Sequence, residues 1–131
     1  MPADQHGEIT YLVQNTIGAY TQALDAGQAD AVAELFTENG TSDITGVGVF
    51  TGRAQLREGY AKLTSDTPAR HLVANVVVTA ISDTEASSSS DFVFLARGEQ
   101  GWGTVVTGHY VDSFALEDGT WRIAHRTTTY A

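Results

Sequence analysis

The sequence predicts an α+β fold, in which three helices in the N-terminal half pack against a curved antiparallel or mixed sheet and enclose a pocket. Two observations support this. Apolar residues recur at three- and four-residue steps in segments up to Leu63, and from Arg70 onward the period changes to two. Helices followed by a run of strands are typical of α+β domains. No repeat or linker divides the chain, so we expect one domain over residues 1–131.

The first helix is predicted from Glu8, where the spacing becomes helical. One apolar stripe runs along it, formed by Ile9, Leu12, Val13, Thr16, Ile17, Tyr20 and Leu24. Residues 1–7 are expected to form a loose tail. Gly27 is suited to end the helix, because glycine readily adopts the left-handed conformation found just after helix ends. A second, short helix is predicted with Asp30 as its N-cap.

Asn39-Gly40 is expected to break the helical pattern. The segment after it is rich in Thr, Val and Gly. We predict two short strands or a hairpin over residues 41–50, with a break near Gly46. A third helix is predicted over residues 53–63, after a turn at Thr51-Gly52 and before a stop that includes Pro68.

Four long strands are predicted in the second half, over residues 70–81, 85–97, 102–116 and 120–130. The tight turn before the last strand contains Asp118-Gly119, a dipeptide that favours two-residue hairpins. The serine run at residues 87–90 is expected to mark a solvated face of its strand. The two tryptophans, Trp102 and Trp121, are expected in the core or at an interface.

Composition excludes several classes of function. The formal net charge of -9 makes nucleic acid an unexpected partner, because an acidic surface repels phosphate backbones. The absence of cysteine excludes disulfides, thiolate nucleophiles and cysteine-ligated metals. No apolar run is long enough to span a bilayer, and the polar first eight residues do not resemble a signal peptide. We therefore expect a cytoplasmic protein with no membrane association.

His71 is the one residue that does not fit a plain core strand. It lies at the start of the strand predicted from Arg70, among β-branched residues. An imidazole in this position is either a general base facing a cavity or a polar strand end in water. Alternation places Val73, Asn75 and Val77 on the same side of the strand as His71. If these residues line the cavity, His71 faces it, with Asn75 as a substrate-binding candidate; if Leu72, Ala74 and Val76 line it instead, His71 is an ordinary strand end.

Several segments resemble the SnoaL-like type of the nuclear transport factor 2-like superfamily. They are residues 20–30 (YTQALDAGQAD), 35–40 (LFTENG), 46–52 (GVGVFTG), 108–112 (GHYVD) and 117–126 (EDGTWRIAHR). The resemblance covers nearly the whole chain. It implies a cone-shaped α+β barrel with an internal pocket, commonly assembled as a homodimer through its sheet. The superfamily includes dehydratases, a dehydrochlorinase, ketosteroid isomerase, polyketide cyclases and members without known chemistry, so it implies a pocket rather than one reaction.

The dehydratase and dehydrochlorinase branch uses an aspartate at the end of the first helix and a histidine at the start of the long central strand. Asp25 and His71 match those two positions. The resemblance to the bile-acid dehydratase extends to Tyr20, and Arg126 falls where these enzymes place a basic residue in the last strand. The dehydrochlorinase has a lysine where this chain has Tyr20, so halide departure assisted by an ammonium group is not expected.

An Asp–His pair supports simple acid–base chemistry. The carboxylate fixes the imidazole tautomer and stabilises the imidazolium, while the other ring nitrogen removes a proton from carbon. We therefore expect His71, Asp25 and Tyr20 to be catalytic, in a lyase that needs neither metal nor organic cofactor. The expected ligand is a small, apolar, oxygenated or cyclic molecule. The alternatives are that Asp25 only ends its helix and that Tyr20 is a core residue.

Other residues support rival hypotheses. Asp43 lies where ketosteroid isomerases, which this chain resembles, carry their general base, and Asp91 is a possible second acid. His109 is a candidate pocket residue or second acid, although the sequence favours a structural role for it. Arg126 is a candidate for binding a substrate anion or the Asp25 carboxylate. Arg122 shares its strand parity, and a solvent-exposed or dimer-interface position for Arg126 is equally open. We therefore keep two alternatives to the lyase: an isomerase or polyketide cyclase, and a non-catalytic ligand-binding module.

Overall fold

The computed structural model describes residues 2–131. Three helices and six strands follow one another in the order α1 (Ala3–Asp25), α2 (Ala29–Glu34), β1 (Phe36–Ile44), β2 (Gly48–Thr51), α3 (Arg53–Ala61), β3 (Ala69–Thr79), β4 (Glu85–Gly98), β5 (Gly101–Glu117) and β6 (Thr120–Tyr130). The three helices therefore lie in the N-terminal half, as predicted.

The six strands form one mixed sheet in the order β2-β1-β6-β5-β4-β3. β1 runs parallel to β6, and all other neighbours are antiparallel. Helix α1 packs against β3 at one edge and also contacts β6, while α3 contacts β1 and β2 at the other edge. The α+β class and the curved mixed sheet predicted from the sequence are confirmed.

One core fills the space between the helices and the inner face of the sheet. The predicted stripe of α1 supplies part of it, with Val13 and Ile17 almost fully buried. The inner face of β5 contributes alternate residues, Tyr110, Asp112 and Phe114, as expected for a strand buried on one side. Gly108 begins this row, and a Cβ atom there would lie 2.3 Å from the Phe92 ring. Its missing side chain lets Phe92 lie flat against β5.

The first helix begins earlier than predicted. Residues 3–7 are helical rather than a loose tail, and Met1 lies outside the described residues. Pro2 stands at the N-cap, and its carbonyl accepts hydrogen bonds from the backbone N–H groups of Gln5 and His6. The prediction was wrong because apolar periodicity marks only the part of a helix that packs against the core. The added first turns are mostly solvent-exposed.

The predicted N-cap of α2 is also wrong. The helix begins at Ala29 with Gln28 as N-cap, and no side chain caps it. Asp30 lies within the first turn, and its carboxylate is 2.9 Å from Nε of Arg57 on α3. Gly27, by contrast, has the predicted left-handed conformation (φ 71°) after α1.

The expected break at Asn39-Gly40 is absent, because both residues lie within β1. The pairing of β1 with β6 is irregular there, between Phe36 and Thr41. A Cβ on Gly40 would lie 3.0 Å from the carbonyl oxygen of Ile123, so glycine permits this close approach. The two predicted hairpins are present: β1 pairs with β2, and Asp118 and Gly119 both have positive φ in the β5–β6 turn.

The serine run on β4 does not mark a solvated face. Ser88 and Ser90 point inward and are buried, while Ser87 and Ser89 are half-buried. The prediction was wrong because β4 lies inside the sheet between β3 and β5, where side chains of one parity must enter the core. Trp121 is buried as expected, but Trp102 is 48% exposed near the β4–β5 hairpin.

A search of the helices in the described part of the chain finds none with the length and apolar character of a bilayer-spanning segment.

Candidate active site

A cavity of about 300 Å³ lies between the helices and the inner face of the sheet. Its walls are mostly apolar and unusually aromatic. The lining residues are Tyr20, Leu24, Ile44, Tyr60, Leu63, His71, Phe92, Phe94, Val105, Val106, Tyr110, Thr128 and Tyr130. An apolar pocket with a few inward polar groups is the usual form of a small-molecule site.

His71, which lines the cavity, forms a hydrogen-bonded pair with Asp25. Nδ1 of His71 lies 2.6 Å from Oδ1 of Asp25, and the backbone N–H of His71 donates to Oδ2 at 2.8 Å. The two side chains are only 15% and 9% exposed. Because an ionised carboxylate only accepts hydrogen bonds, Nδ1 carries the proton, and Nε2 of the neutral ring is left with a free lone pair.

The fold fixes this pair from two elements. Asp25 is the last residue of α1, so its side chain projects from the helix end and reaches His71, the third residue of β3. The His71 ring stacks on Phe94 of the neighbouring strand, with centroids 4.3 Å apart and planes at 29°. The two bonds to one carboxylate and the aromatic stack together restrict the imidazole to one orientation.

Three hydroxyl groups form a second polar cluster, and two of them, those of Tyr20 and Tyr60, belong to residues that line the cavity. The hydroxyl of Tyr60 lies 2.6 Å from that of Tyr20 and 2.7 Å from Oγ of Ser42. Burial raises the pKa of Tyr20, and it raises the pKa of Tyr60 more strongly, despite the opposing effect of nearby Arg126 on both. Both phenols therefore remain protonated across the physiological pH range and are able to donate hydrogen bonds.

These raised pKa values predict a loss of stability in alkali. Burial also raises the pKa of Tyr110. The unfolded chain loses its tyrosine protons near pH 10, whereas the folded chain keeps the protons of Tyr20, Tyr60 and Tyr110. The unfolded state then binds fewer protons, so the free energy of unfolding falls as pH rises above about 10, by up to about 1.4 kcal/mol per pH unit for each tyrosine.

Denaturant unfolding between about pH 9 and pH 11 measures this slope. The variant Tyr60→Phe removes one of the three groups and should give a shallower slope than the parent. A free energy of unfolding that does not change over this range would contradict the predicted retention of protons.

A comparison with known protein families matches the SnoaL-like domain family to residues 8–127. This match covers most of the chain. The chain belongs to the SnoaL-like domain family. The resemblance drawn from the sequence segments is therefore confirmed, and with it the nuclear transport factor 2-like fold. A search of curated proteins finds no significant match.

Several solved structures of other proteins share the fold of this SnoaL-like chain. A variant of Rv3472 from Mycobacterium tuberculosis, described as of unknown function, is 25% identical with a TM-score of 0.89, covering 100% of this chain and 76% of that one. A Novosphingobium aromaticivorans protein provisionally named a scytalone dehydratase is 21% identical (TM-score 0.86, 99% and 89% covered). Another from that organism, described as nuclear transport factor 2-like with a cystatin-like fold, is 20% identical (TM-score 0.84, 96% and 84% covered).

Arg126 is not in the cavity lining, which corrects its prediction as a substrate-binding residue. Its guanidinium is fully buried behind the wall of the SnoaL-like cavity, where Nε and Nη2 donate to the two carboxylate oxygens of Asp112 at 2.7 and 2.9 Å. The guanidinium carbon lies 4.2 Å from the Tyr20 ring and 3.8 Å from the Tyr110 ring. Burial alone would lower the pKa of Arg126, but the charge and hydrogen bonds of the Asp112 carboxylate, with smaller contributions from Tyr110 and Tyr20, raise this pKa overall.

Asn75 and His109 lie outside the cavity, contrary to prediction. Asn75 has φ 56° at an irregularity in the β3–β4 pairing, so the alternation of β3 shifts there. Its exposed amide donates to Asp91 on β4, while Val76 and Val78 beyond it pack against the core in place of Val77. Nδ1 of His109 also bonds to Asp91, at 2.7 Å, on the outer face of the sheet.

Asp43 also points away from the cavity. It lies on β1 between Ser42 and Ile44, both of which are buried on the inner face. Because successive side chains of a strand point to opposite faces, Asp43 is directed outward and is half-exposed. The position predicted to hold an isomerase-type base therefore does not face the cavity of this SnoaL-like chain.

The sequence analysis missed several cavity residues. Tyr60, Thr128 and Tyr130 line the cavity but were not among the candidate site residues. Asp112, the partner of Arg126, was also missed. The parity of β5 was the available indication, because Asp112 alternates with Tyr110 and Phe114 and so had to be a buried carboxylate in need of a cation.

Groups able to hold a metal ion are sparse in the described residues. No cluster of three or more His, Asp or Glu side chains with suitable proximity is found there, and the chain contains no cysteine.

Proposed function

We propose that this SnoaL-like protein is a cofactor-independent lyase that removes water from a small, apolar, oxygenated ring compound bound in the cavity. The observation that carries the proposal is the 2.6 Å contact between Nδ1 of His71 and Oδ1 of Asp25. The His71 ring lines the cavity, and Asp25 fixes its tautomer. His71 is the general base, and Asp25 orients it and stabilises the imidazolium that forms.

The elimination follows from this geometry. Nε2 of His71 removes a proton from a carbon of the substrate, and the electron pair of that C–H bond forms a C=C bond. The C–O bond to the hydroxyl on the adjacent carbon breaks at the same time or afterwards. The imidazolium returns the proton to the departing oxygen, which leaves as water. His71 is neutral again at the end of the cycle, so no external proton donor is consumed.

Tyr20 is the second catalytic group in this proposal. Its hydroxyl and that of Tyr60 share a short hydrogen bond, and both residues line the cavity. A phenol that stays protonated donates a hydrogen bond to a carbonyl or leaving oxygen, where negative charge develops during proton removal. The guanidinium of Arg126 lies behind the Tyr20 ring and holds it by a cation–π contact.

The walls indicate the kind of ligand. Phe92 and Phe94 of β4 line the cavity together with four tyrosines, Tyr20, Tyr60, Tyr110 and Tyr130. Aromatic walls favour flat or cyclic molecules, which stack face to face or edge to face against such rings. The small volume restricts the ligand to one or two rings.

The alternatives differ in how well they fit. An isomerase using Asp43 loses support because this carboxylate faces outward. A polyketide-type cyclase would use the same His71 and the same cavity, so only the product distinguishes it from a dehydratase. A non-catalytic ligand-binding module would have no need of the Asp25–His71 pair.

Turnover of hydroxylated bicyclic ketones, followed by the absorbance of the conjugated product, tests the proposal. The wild type should convert at least one such compound, and Asp25→Asn should convert it more slowly without losing binding. Equal rates in the two proteins would exclude the proposed role of the pair. Binding without turnover across the panel would favour the ligand-binding module.

We also propose that the protein forms a homodimer through the outer face of its sheet. Leu72, Val77 and Val111 are each more than half exposed there, on β3 and β5. Such apolar exposure on one face is typical of protein interfaces. Sedimentation equilibrium should give twice the monomer mass, and Val111→Lys should give the monomer. A monomeric wild type at micromolar concentration would contradict this.

A further inference from the structure

Four buried polar atoms on the inner face of the sheet have no hydrogen-bond partner within residues 2–131. They are Ser88 Oγ, Ser90 Oγ, Thr128 Oγ1 and Arg126 Nη1. Each of the four side chains is at most 4% exposed. Buried polar groups in folded proteins almost always have a partner, and leaving one without costs more than a hydrogen bond normally contributes. These four atoms together mark a region whose hydrogen-bonding capacity the described residues do not use.

The strand register makes these four residues neighbours. Two adjacent rows cross β4, β5 and β6 on the inner face, one containing Ser88, Asp112 and Arg126 and the other containing Ser90, Tyr110 and Thr128. Rows two residues apart along a strand are roughly 7 Å from each other. The unpartnered atoms thus belong to one polar patch, which we call the inner polar patch.

Thr128 joins this patch to the cavity, because it is the one of the four residues that lines the cavity. Rotation of χ1 to another staggered rotamer moves the Thr128 hydroxyl to a different position around Cβ, from which it is able to face the cavity. His71 lies in a different row, opposite Phe94 and in turn Val106. Val106 and Tyr110 are roughly 13 Å apart along β5, so His71 and Thr128 mark two separate ends of the cavity.

We propose that Thr128 forms a subsite for a second oxygen of the ligand, a hydroxyl or a carbonyl, at the end of the molecule remote from the carbon on which His71 acts. The inner polar patch lies behind Thr128, and the aromatic walls between the two ends hold the ring. The proposal rests on the proposed function and narrows its substrate class to ring compounds that carry oxygen at both ends.

A double-mutant cycle tests this with two probes of nearly equal shape, 2-naphthol and 2-methylnaphthalene. Thr128→Val replaces the protein hydroxyl by a methyl group, as the second probe does for the ligand. If the Thr128 hydroxyl forms a hydrogen bond with the hydroxyl of 2-naphthol, Thr128→Val weakens 2-naphthol binding by roughly two- to tenfold, the range expected for one hydrogen bond. Binding of 2-methylnaphthalene should stay unchanged or become tighter. Naphthyl fluorescence measures both dissociation constants.

Two variants serve as controls. Thr128→Ser keeps a hydroxyl and should keep the preference for 2-naphthol. Thr127→Val makes the same chemical change at the preceding residue, which lies outside the cavity lining. It should change the binding of neither probe. An equal effect of Thr128→Val on both probes would overturn the subsite while leaving the Asp25–His71 chemistry untouched. Failure of the wild type to bind either probe would overturn the subsite together with the assignment of the cavity to ring compounds.

Discussion

Replacing His71 by glutamine should lower the turnover number by roughly 10²–10⁴-fold, the contribution expected from a general base. Glutamine preserves much of the size and polarity of the side chain, so Phe94 keeps a stacking partner and Asp25 keeps a hydrogen-bond donor. It has no nitrogen able to take a proton at neutral pH. The Michaelis constant should therefore change little. Steady-state kinetics on a converted hydroxyketone measures both quantities.

The chain provides a matched control for this substitution. His109 also bonds through Nδ1 to a carboxylate, that of Asp91 at 2.7 Å, but on the outer face of the sheet. His109→Gln should leave turnover unchanged. A comparable loss in both variants would mean that the effect of His71→Gln is structural, and an unchanged rate in His71→Gln would exclude it as the base.

Removing the Asp112 carboxylate should cause the largest loss of stability in the molecule. Asp112→Ala leaves the Arg126 guanidinium buried without its counter-ion, and the free energy of unfolding should fall by about 3–5 kcal/mol. The whole side chain of each partner is inaccessible to solvent, so water cannot replace the lost carboxylate. Urea denaturation measures the change.

Two further variants separate the ion pair from its surroundings. The double variant Asp112→Leu with Arg126→Met removes both charges and should recover much of the loss, because apolar replacement of a buried pair is often nearly neutral. Asp30→Ala breaks the exposed Asp30–Arg57 pair and should change stability by less than about 1 kcal/mol. If Asp112→Ala lowered the free energy of unfolding no more than Asp30→Ala does, the buried pair would not be a major source of stability.

Much of the fold could be predicted from the sequence because its patterns are strong. The stripe on α1 and the alternation in β5 each require one buried face, and Asp118-Gly119 specifies its hairpin. Family resemblance added the pairing of Asp25 with His71, which lie 46 positions apart and share no local pattern. No periodicity would have brought these two residues together.

The remaining site residues were mispredicted for physical reasons that lie outside the local sequence. Strand alternation predicted Asn75 on the side of His71, but the irregularity at its positive φ reverses the faces of β3. Arg126 was expected to face the ligand, because the sequence did not show that Asp112 on the neighbouring strand would neutralise it. Ser88 and Ser90 looked like surface residues, since their burial depends on the position of β4 within the sheet.

We predict that Asp25 holds His71 with Nδ1 protonated and Nε2 free to accept a proton. Long-range ¹H–¹⁵N correlation spectra of the neutral imidazole distinguish the two tautomers directly and require no substrate. The geometry predicts that Nδ1 gives the resonance of a protonated ring nitrogen and Nε2 that of an unprotonated one, and that Asp25→Asn weakens this preference. A spectrum showing the proton on Nε2, unaffected by Asp25→Asn, would show that Asp25 does not fix the His71 tautomer.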